Sequence, residues 1–278
     1  MKMDAGGDGN TVQHHALEFI TDEKAQQIED HLWWMLGRKN IIRRFLTQAK
    51  RFFAGEHLKI MDVGCGSGGV FDVLAEFGEV FGAEPSPILA RRARLRGIAS
   101  TVFEEDVSRL EFTGQVDIIT MFDVLEHIEH DVDFLRKLRA TASEDHLMLI
   151  SVPACQFLFG EHDTILHHYR RYSSQTLKKL FLDSDYEVIK MSYFMFFLFP
   201  FVIVERCTDQ LMKLFGKQRT AVDIGDNVNP FIGNVLARTL AAEAVLSKFL
   251  SFPIGLWLFA LVRPRPTETR SISVGNPS

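Results

Sequence analysis

Apolar positions near the start of the chain recur at the spacing of a helix. Within residues 21–53, Ile41, Ile42, Phe45 and Leu46 fall on one helical face. The opposite face is basic and carries Arg38, Lys39, Arg43 and Arg44. The pattern predicts an N-terminal helical segment, which we place at 13–53, with a basic outer face.

From residue 58 the pattern changes to short apolar runs that alternate with helical stretches. The runs predict strands at 59–63, 79–83, 100–103, 116–121 and 146–152. The stretches between or after them predict helices at 70–76, 87–96, 131–142 and 174–182. Two later runs, 186–193 and 256–262, predict further strands at one edge. This alternation predicts an α/β fold, a doubly wound Rossmann-like parallel sheet covered on both faces.

An apolar insertion, residues 194–254, precedes the last predicted strand. It predicts two helices, one from Pro200 to about residue 215 and one from Pro230 to about residue 250. Each of its two most apolar runs contains a proline and is shorter than the ~20 residues that span a bilayer, so no transmembrane helix is predicted. Residues 54–264 then form one domain between the flexible tails 1–12 and 265–278.

Composition excludes several classes of protein. The chain is 46% hydrophobic and 24% charged, which excludes general disorder, and its net charge of −5 argues against nucleic acid as a partner. Three scattered cysteines suit neither a disulfide framework nor a cysteine-based zinc site. With no signal-peptide pattern at the start, we expect a reducing, cytoplasmic setting.

The segment KIMDVGCGSGG, residues 59–69, carries the clearest chemistry. An apolar strand reaches Asp62, and Gly64, Gly66 and Gly68 then lead into a helix. Glycines let the backbone approach a ligand closely, and a helix N-terminus offers unpaired N–H groups. Gly64, Gly66 and Gly69 fit the G-x-G-x-x-G pattern that many nucleotide-binding proteins share, so the loop by itself does not select a cofactor.

Three carboxylates around this loop narrow the choice. Glu84 ends the second predicted strand, where it can accept both ribose hydroxyls of an adenosine. Asp106 follows the third strand and suits an adenine amino group, while Asp62 suits a cationic amino group. An acidic lining attracts an ammonium and a sulfonium but repels a pyrophosphate, which favours S-adenosylmethionine (SAM) over NAD.

The ordered segments DVGCGSG, GAEPS, EEDV and FDVLEHI resemble the motifs of class I SAM-dependent methyltransferases. The resemblance covers about residues 58–193 and implies a seven-stranded methyltransferase sheet with N-terminal helices and a helical insertion before the last strand. It places Asp123 near the transferable methyl group. The cofactor-binding residues that it implies are Asp62, Gly64, Cys65, Gly66, Gly68, Glu84, Pro85, Asp106, Val107, Phe122 and Asp123.

Other segments are similar to a narrower branch of methyltransferases, which acts on lipid-linked, glycan or quinone-type acceptors. These segments are HLWWMLGRKNII, VPA and HDTILHHYRRYS, although His167 replaces a glycine of that pattern and PIG at 253–255 replaces PFG. The similarity implies a small-molecule acceptor that is apolar or lipid-linked, methylated at oxygen. The substrate-binding residues predicted are Trp33, Arg38, His162, Arg170, Arg171 and Tyr172.

Two histidines are candidate bases for removing the acceptor's proton. His127 follows the fourth strand and His168 the fifth, at the sheet edge where α/β folds bind ligands. We group Asp123 with them as catalytic, while structural roles for both histidines stay open. Asp123, Glu126 and His127 also match a D/E-x-x-E-H pattern that can carry a divalent ion in quinone O-methyltransferases, but no metal is predicted.

Charged and aromatic side chains leave further alternatives. Arg170 and Arg171 can clamp a carboxylate or phosphate, or pair with Glu161 or Asp163. The phenylalanines near 194–201 either pack within a lid or form an apolar gate, in which case 194–217 contacts the inner face of a membrane.

Alternative functions are a quinone-biosynthesis-type C- or O-methyltransferase, an NAD(P)-dependent oxidoreductase and a non-catalytic SAM-binding subunit. The oligomeric state is left open.

Overall fold

The computed structural model describes residues 22, 30, 32–55, 57–105, 116–204, 208 and 229–266. Within these residues one sheet contains seven strands, β1 Leu58–Val63, β2 Gly78–Ala83, β3 Thr101–Phe103, β4 Ile118–Phe122, β5 Leu147–Pro153, β6 Tyr186–Phe194 and β7 Trp257–Pro264. The α-helices in the same residues are α1 Trp33–Ala49, α2 Phe71–Ala75, α3 Pro87–Leu95, α4 Asp131–Thr141, α5 Glu161–Ile165, α6 Ser174–Asp183 and α7 Pro230–Leu246.

The strands lie in the order β3-β2-β1-β4-β5-β7-β6. The first five strands are parallel to one another, whereas β7 runs antiparallel between β5 and β6. Every residue of β5 is buried, as expected for a strand with helices on both faces of the sheet. The predicted doubly wound α/β fold is confirmed, and so are two further strands at one edge.

Helix α1, Trp33–Ala49, lies within the predicted helical segment, but the predicted basic outer face is wrong for Arg38, which is buried. Lys39 and Arg43 are half-buried and meet acids from neighbouring elements. The Lys39 Nζ lies 2.9 Å from Asp72, and the Arg43 Nη2 lies 2.6 Å from Glu76. The helix therefore docks against the domain through its charged side as well as its apolar side.

Helices α1 and α7 cross closely at Gly37. A Cβ atom added at Gly37 would lie 2.4 Å from the Leu240 side chain, so only glycine allows this approach. Trp33 packs beside the crossing with Met195 and Leu240. The crossing holds the face of α1 that carries Arg38 against the sheet.

The apolar insertion is described in part. Residues 199–204 are helical, and α7 begins at Pro230 after Asn229, whose side chain accepts the Phe231 N–H at 2.9 Å. Residues 205–207 and 209–228, the tail 1–12 and residues 267–278 lie outside the described residues. Among the described helices, none has both the length and the apolar character that crossing a membrane needs.

Candidate active site

The glycine loop after β1 needs glycine for two different reasons. Gly64, Gly66 and Gly68 have φ values of +71°, +57° and +75°, which residues with a Cβ rarely adopt. A Cβ at Gly64 would also lie 2.6 Å from the Val124 side chain. A Cβ at Gly66 would meet no atom of the described chain within 4 Å. The loop is therefore tightly packed at Gly64 and open at Gly66, where a ligand can lie.

Glu84 ties this loop to the end of β2. One carboxylate oxygen accepts the Gly66 N–H at 2.9 Å and the other accepts the Ser86 N–H at 2.9 Å. Burial raises the pKa of Glu84, and the two hydrogen bonds partly offset that rise. Each oxygen keeps acceptor capacity for a further donor.

Asp62 lies under the same loop and is buried. It accepts a hydrogen bond of 2.6 Å from the Thr120 hydroxyl. Burial raises the pKa of Asp62 to about 7, against the lowering effects of the Thr120 hydrogen bond and the Arg38 charge. The carboxyl is thus poised between its two protonation states near neutral pH, and a bound cation would stabilise the ionised form.

Asp123 follows β4 with a left-handed backbone, φ +58°, and meets Arg38. The Arg38 Nη1 lies 2.7 Å from Asp123 Oδ2, and the Arg38 Nη2 donates to the Ser151 hydroxyl at 2.7 Å. That hydroxyl donates in turn to Asp123 Oδ1 at 3.1 Å. The three side chains close a ring of hydrogen bonds at the carboxyl ends of β4 and β5.

Aromatic rings enclose the Arg38 guanidinium. Its central carbon lies 5.5 Å from the centre of the Phe122 ring and 5.3 Å from that of Trp257. Arg38, predicted to bind substrate, is here a buried partner of Asp123. Trp33, predicted alongside it, packs in the cluster at the α1–α7 crossing.

The two candidate bases lie side by side. The ring centres of His127 and His168 are 4.7 Å apart at an angle of 80°. One ligand atom each of Glu126, His127 and His168 lie within 4.8 Å of one another. The metal pattern in the sequence combines Asp123 with Glu126 and His127. In the fold, His168 lies beside Glu126 and His127 instead, and Asp123 pairs with Arg38.

Glu126 is the most unusual member of this group. It is fully buried, and neither carboxylate oxygen has a hydrogen-bond partner among the described residues. Burial raises the pKa of Glu126 well above its usual value, and the Asp123 charge raises it further. An uncompensated buried carboxylate is costly, so this side chain is either protonated or meets a cation.

A second carboxylate, Asp163, lies behind His168. Its Oδ1 is 3.0 Å from the His168 Nδ1 and 2.7 Å from the Arg171 Nε, and its Oδ2 accepts the Gly160 N–H at 2.9 Å. Burial raises the pKa of Asp163, but the hydrogen bonds from His168 and Arg171 and the Arg171 charge outweigh it, so the pKa lies below its usual value. The sequence pattern indicates Asp163 only as an ion-pair partner, because nothing in the segment HDTILHH tells which side chain faces His168.

The other predicted substrate residues of this loop also have partners in the protein. The Arg170 Nη1 lies 2.8 Å from Asp131, and Tyr172 donates to the same carboxylate at 2.9 Å. Burial raises the pKa of the Tyr172 hydroxyl above its usual range. Both side chains therefore brace the loop after β5.

The remaining predicted residues are placed as follows. Pro85 is exposed just after β2, while Cys65 is buried, and burial raises the pKa of its thiol, so it is a packing group. Asp106 and Val107 lie outside the described residues, and the side chain of His162 is not described.

The spacing of Tyr186 and Lys190 matches a dehydrogenase pair, but both lie on β6. The Tyr186 hydroxyl is 2.9 Å from the His146 Nε2, whereas the Lys190 Nζ donates to the Ser247 carbonyl at 2.6 Å. The two polar ends thus serve separate structural contacts, as the strand predicted for this segment implies.

Comparison with known proteins identifies the family of this chain. A family profile described as "Methyltransferase domain" matches residues 37–191, more than half of the chain. The search of curated proteins gave no significant match.

Solved structures share the fold at low sequence identity. The plantazolicin methyltransferase BpumL, in complex with SAH, is 12% identical over 83% of this chain and 85% of its own, with a TM-score of 0.52. A chain from the complex between the Haloferax volcanii Trm112 methyltransferase activator and a methyltransferase is 15% identical over 84% of this chain and 95% of its own, with a TM-score of 0.50. The chain therefore belongs to the methyltransferase-domain family and is a SAM-dependent methyltransferase.

Proposed function

We propose that this enzyme methylates an oxygen of an apolar or lipid-linked small molecule, with His168 taking the proton. The observation that carries the proposal is the position of His168, between the buried carboxylate of Asp163 and the pair Glu126 and His127. A histidine held in this way can act as a general base toward an acceptor hydroxyl.

The cofactor would lie over the glycine loop. Asp62 receives the ammonium group of SAM and Glu84 the ribose hydroxyls, while Gly64, Gly66 and Gly68 let the backbone approach it. The raised pKa of Asp62 and the open space above Gly66 support this placement. The other cofactor contacts that we propose are Cys65, Pro85, Phe122 and Asp123, with Asp106 and Val107 at the adenine.

Methyl transfer is an in-line displacement at carbon. A bond forms between the acceptor oxygen and the methyl carbon, the carbon–sulfur bond breaks, and its electron pair stays on sulfur. The proton released by the hydroxyl passes to the His168 Nε2. The protein contributes mainly position and a proton acceptor.

Exposed apolar side chains in the insertion support an apolar acceptor. Phe201 and Val204 are exposed in the 199–204 helix, and α7 exposes Phe231, Val235 and, just beyond its end, Phe249. The nearby cations of the described chain are Arg238 and Lys248, whereas the one acid of α7, Glu243, is buried. An apolar face with cations and without exposed acids suits a lipid surface, which extends the contact proposed for 194–217.

Transfer of a tritium-labelled methyl group to cell extracts tests the acceptor class. We expect the label in the organic phase, on an O-methyl group. Base treatment should leave the label in place on an ether or release it from an ester. Label on a ring carbon of a quinone would favour the quinone-type alternative, and label only in polar metabolites or protein would contradict the proposal. The control is the variant Gly64→Val, which cannot form the loop and should leave the extract unlabelled.

Flotation with anionic vesicles tests the lipid contact. The double variant Phe201→Ser/Phe231→Ser should lose flotation, while Phe52→Ser, which changes an exposed phenylalanine on a 3-10 turn after α1, should keep it. A wild-type protein that does not float, or a double variant that still does, would contradict a membrane contact.

A second candidate is methyl transfer assisted by a divalent cation. It is favoured by the unpartnered carboxylate of Glu126, which with His127 and His168 offers oxygen and nitrogen ligands suited to such an ion. A bound cation would polarise the acceptor oxygen. Metal analysis and turnover after chelation decide between the candidates, because unchanged turnover in metal-free protein removes the second.

A further inference from the structure

We propose that Asp163 is a positioning residue that holds His168 in the tautomer with the proton on Nδ1, which leaves Nε2 as the acceptor at the reaction site. The proposal rests on the role proposed above for His168. It adds a residue that the sequence motifs do not single out, and it states which ring nitrogen of His168 carries the proton.

The hydrogen-bonding capacity of the groups defines the tautomer. Two groups that can only donate bind Asp163, the Arg171 Nε at 2.7 Å and the Gly160 N–H at 2.9 Å, and the His168 Nδ1 lies 3.0 Å from its Oδ1. The ion pair with Arg171 and the hydrogen bond from Gly160 make Asp163 an ionised acceptor although its side chain is completely buried. An ionised carboxylate only accepts hydrogen bonds, so the His168 Nδ1 must carry the hydrogen between them.

The backbone fixes the ring from both sides. The His168 N–H donates to the Asp163 carbonyl at 2.8 Å, and the next N–H, of Tyr169, donates to the Glu126 carbonyl at 2.8 Å. His167 makes the turn between these segments with φ +56°. His168 is thereby held between α5 and the turn after β4, and its ring packs against that of His127.

A purely structural role for Asp163 is the competing explanation, since Asp163 also binds Arg171 and Gly160. Both roles predict that its loss weakens the loop. Only the positioning role predicts that the ring tautomer depends on Asp163, and that property can be measured without the methyl acceptor.

Nitrogen NMR of metal-free protein labelled in its histidines reads the tautomer directly. The His168 signals are assigned by their loss in His168→Gln. In the wild type, with His168 neutral, we expect the proton on Nδ1. In Asp163→Asn, whose amide can donate, the population should shift toward the proton on Nε2. The control Asp131→Asn breaks the Arg170 ion pair of the same loop and should leave the tautomer unchanged.

Wild-type His168 with its proton on Nε2 would overturn the proposal even if Asp163→Asn fails to fold. An unchanged tautomer in folded Asp163→Asn would overturn it too. In turnover with an identified acceptor, Asp163→Asn should lower kcat about a hundredfold and leave the KM for SAM unchanged. If His168→Gln keeps full turnover while the tautomer still depends on Asp163, the proposed base is wrong and the positioning of the ring is right.

Discussion

The guanidinium of Arg38, on the N-terminal helix, lies 2.7 Å from the carboxylate of Asp123 at the end of β4. This ion pair joins the helix to the carboxyl edge of the sheet, where we propose that methyl transfer takes place. Ser151 binds both partners, and the rings of Phe122 and Trp257 cover the cation. The N-terminal helix is therefore fixed to the carboxyl edge of the sheet, beside the proposed active site.

Removal of this cation should destabilise the fold. Arg38→Ala leaves Asp123 without its partner, and because Asp123 is partly exposed we expect a loss of about 2 kcal/mol in the free energy of unfolding. The control Arg43→Ala removes an exposed pair with Glu76 and should cost less than about 1 kcal/mol. Urea unfolding measures both, and equal effects would show that the buried pair adds no stability.

Affinity for SAM should depend on pH through Asp62. Burial raises the pKa of this acid to about 7, so it becomes protonated below that pH and loses its attraction for the ammonium group. Binding should weaken by up to about tenfold per pH unit below neutrality. It should weaken again above about pH 8, where the amino group of SAM loses its own proton.

Calorimetry across this range tests the role of Asp62. Asp62→Asn should bind SAM weakly and without the acid-side dependence, whereas the surface variant Asp72→Asn should behave as wild type. An acid-side dependence that survives in Asp62→Asn would assign it to another group.

Loss of Glu84 should weaken SAM binding strongly. Glu84→Ala removes the acceptor proposed for the ribose and also releases the N–H groups of Gly66 and Ser86. Hydrogen bonds to a charged group contribute about 1.5–3 kcal/mol, so a loss of tenfold or more in affinity is expected. Glu79→Ala, on the exposed side of the same strand, is the matched control. Intact affinity in Glu84→Ala would refute this cofactor placement.

His168→Ala should separate binding from turnover. The side chain contacts Asp163 and lies beside His127, on the acceptor side of the cofactor loop, so SAM affinity should stay within about twofold. Turnover should fall by about a hundredfold or more. The matched change His130→Ala should leave both quantities unaltered, and a large loss of SAM affinity in His168→Ala would place His168 at the cofactor instead.

Glycine at position 167 should stabilise the protein. His167 has φ +56°, which costs a residue with a Cβ about 1–2 kcal/mol, and the related pattern has glycine here. The greater chain entropy of glycine offsets about 0.5–1 kcal/mol, so His167→Gly should gain up to about 1 kcal/mol. Thermal unfolding measures the gain, with His130→Gly, at φ −103°, as a control that should gain nothing.

Much of the fold could be predicted because its signals are local. The glycine loop, the caps and the apolar runs act over a few neighbouring residues, and most predicted strands and helices agree with the structure within two residues at each end. The antiparallel position of β7 between β5 and β6 was not predicted, since strand neighbours depend on how the insertion 194–254 returns the chain to the sheet.

Local sequence patterns predict the order of strands and helices, the glycine loop and the carboxylates Asp62 and Glu84 beside it, because the strand ends of a parallel sheet meet at one edge. The partners of the charged side chains depend instead on how distant segments pack. Arg38 faces Asp123 because the α1–α7 crossing directs it inward, and His168 faces Asp163 because a left-handed turn at His167 folds the loop back. Spacing along the chain carries no information on such contacts, since they arise from the packing of distant segments.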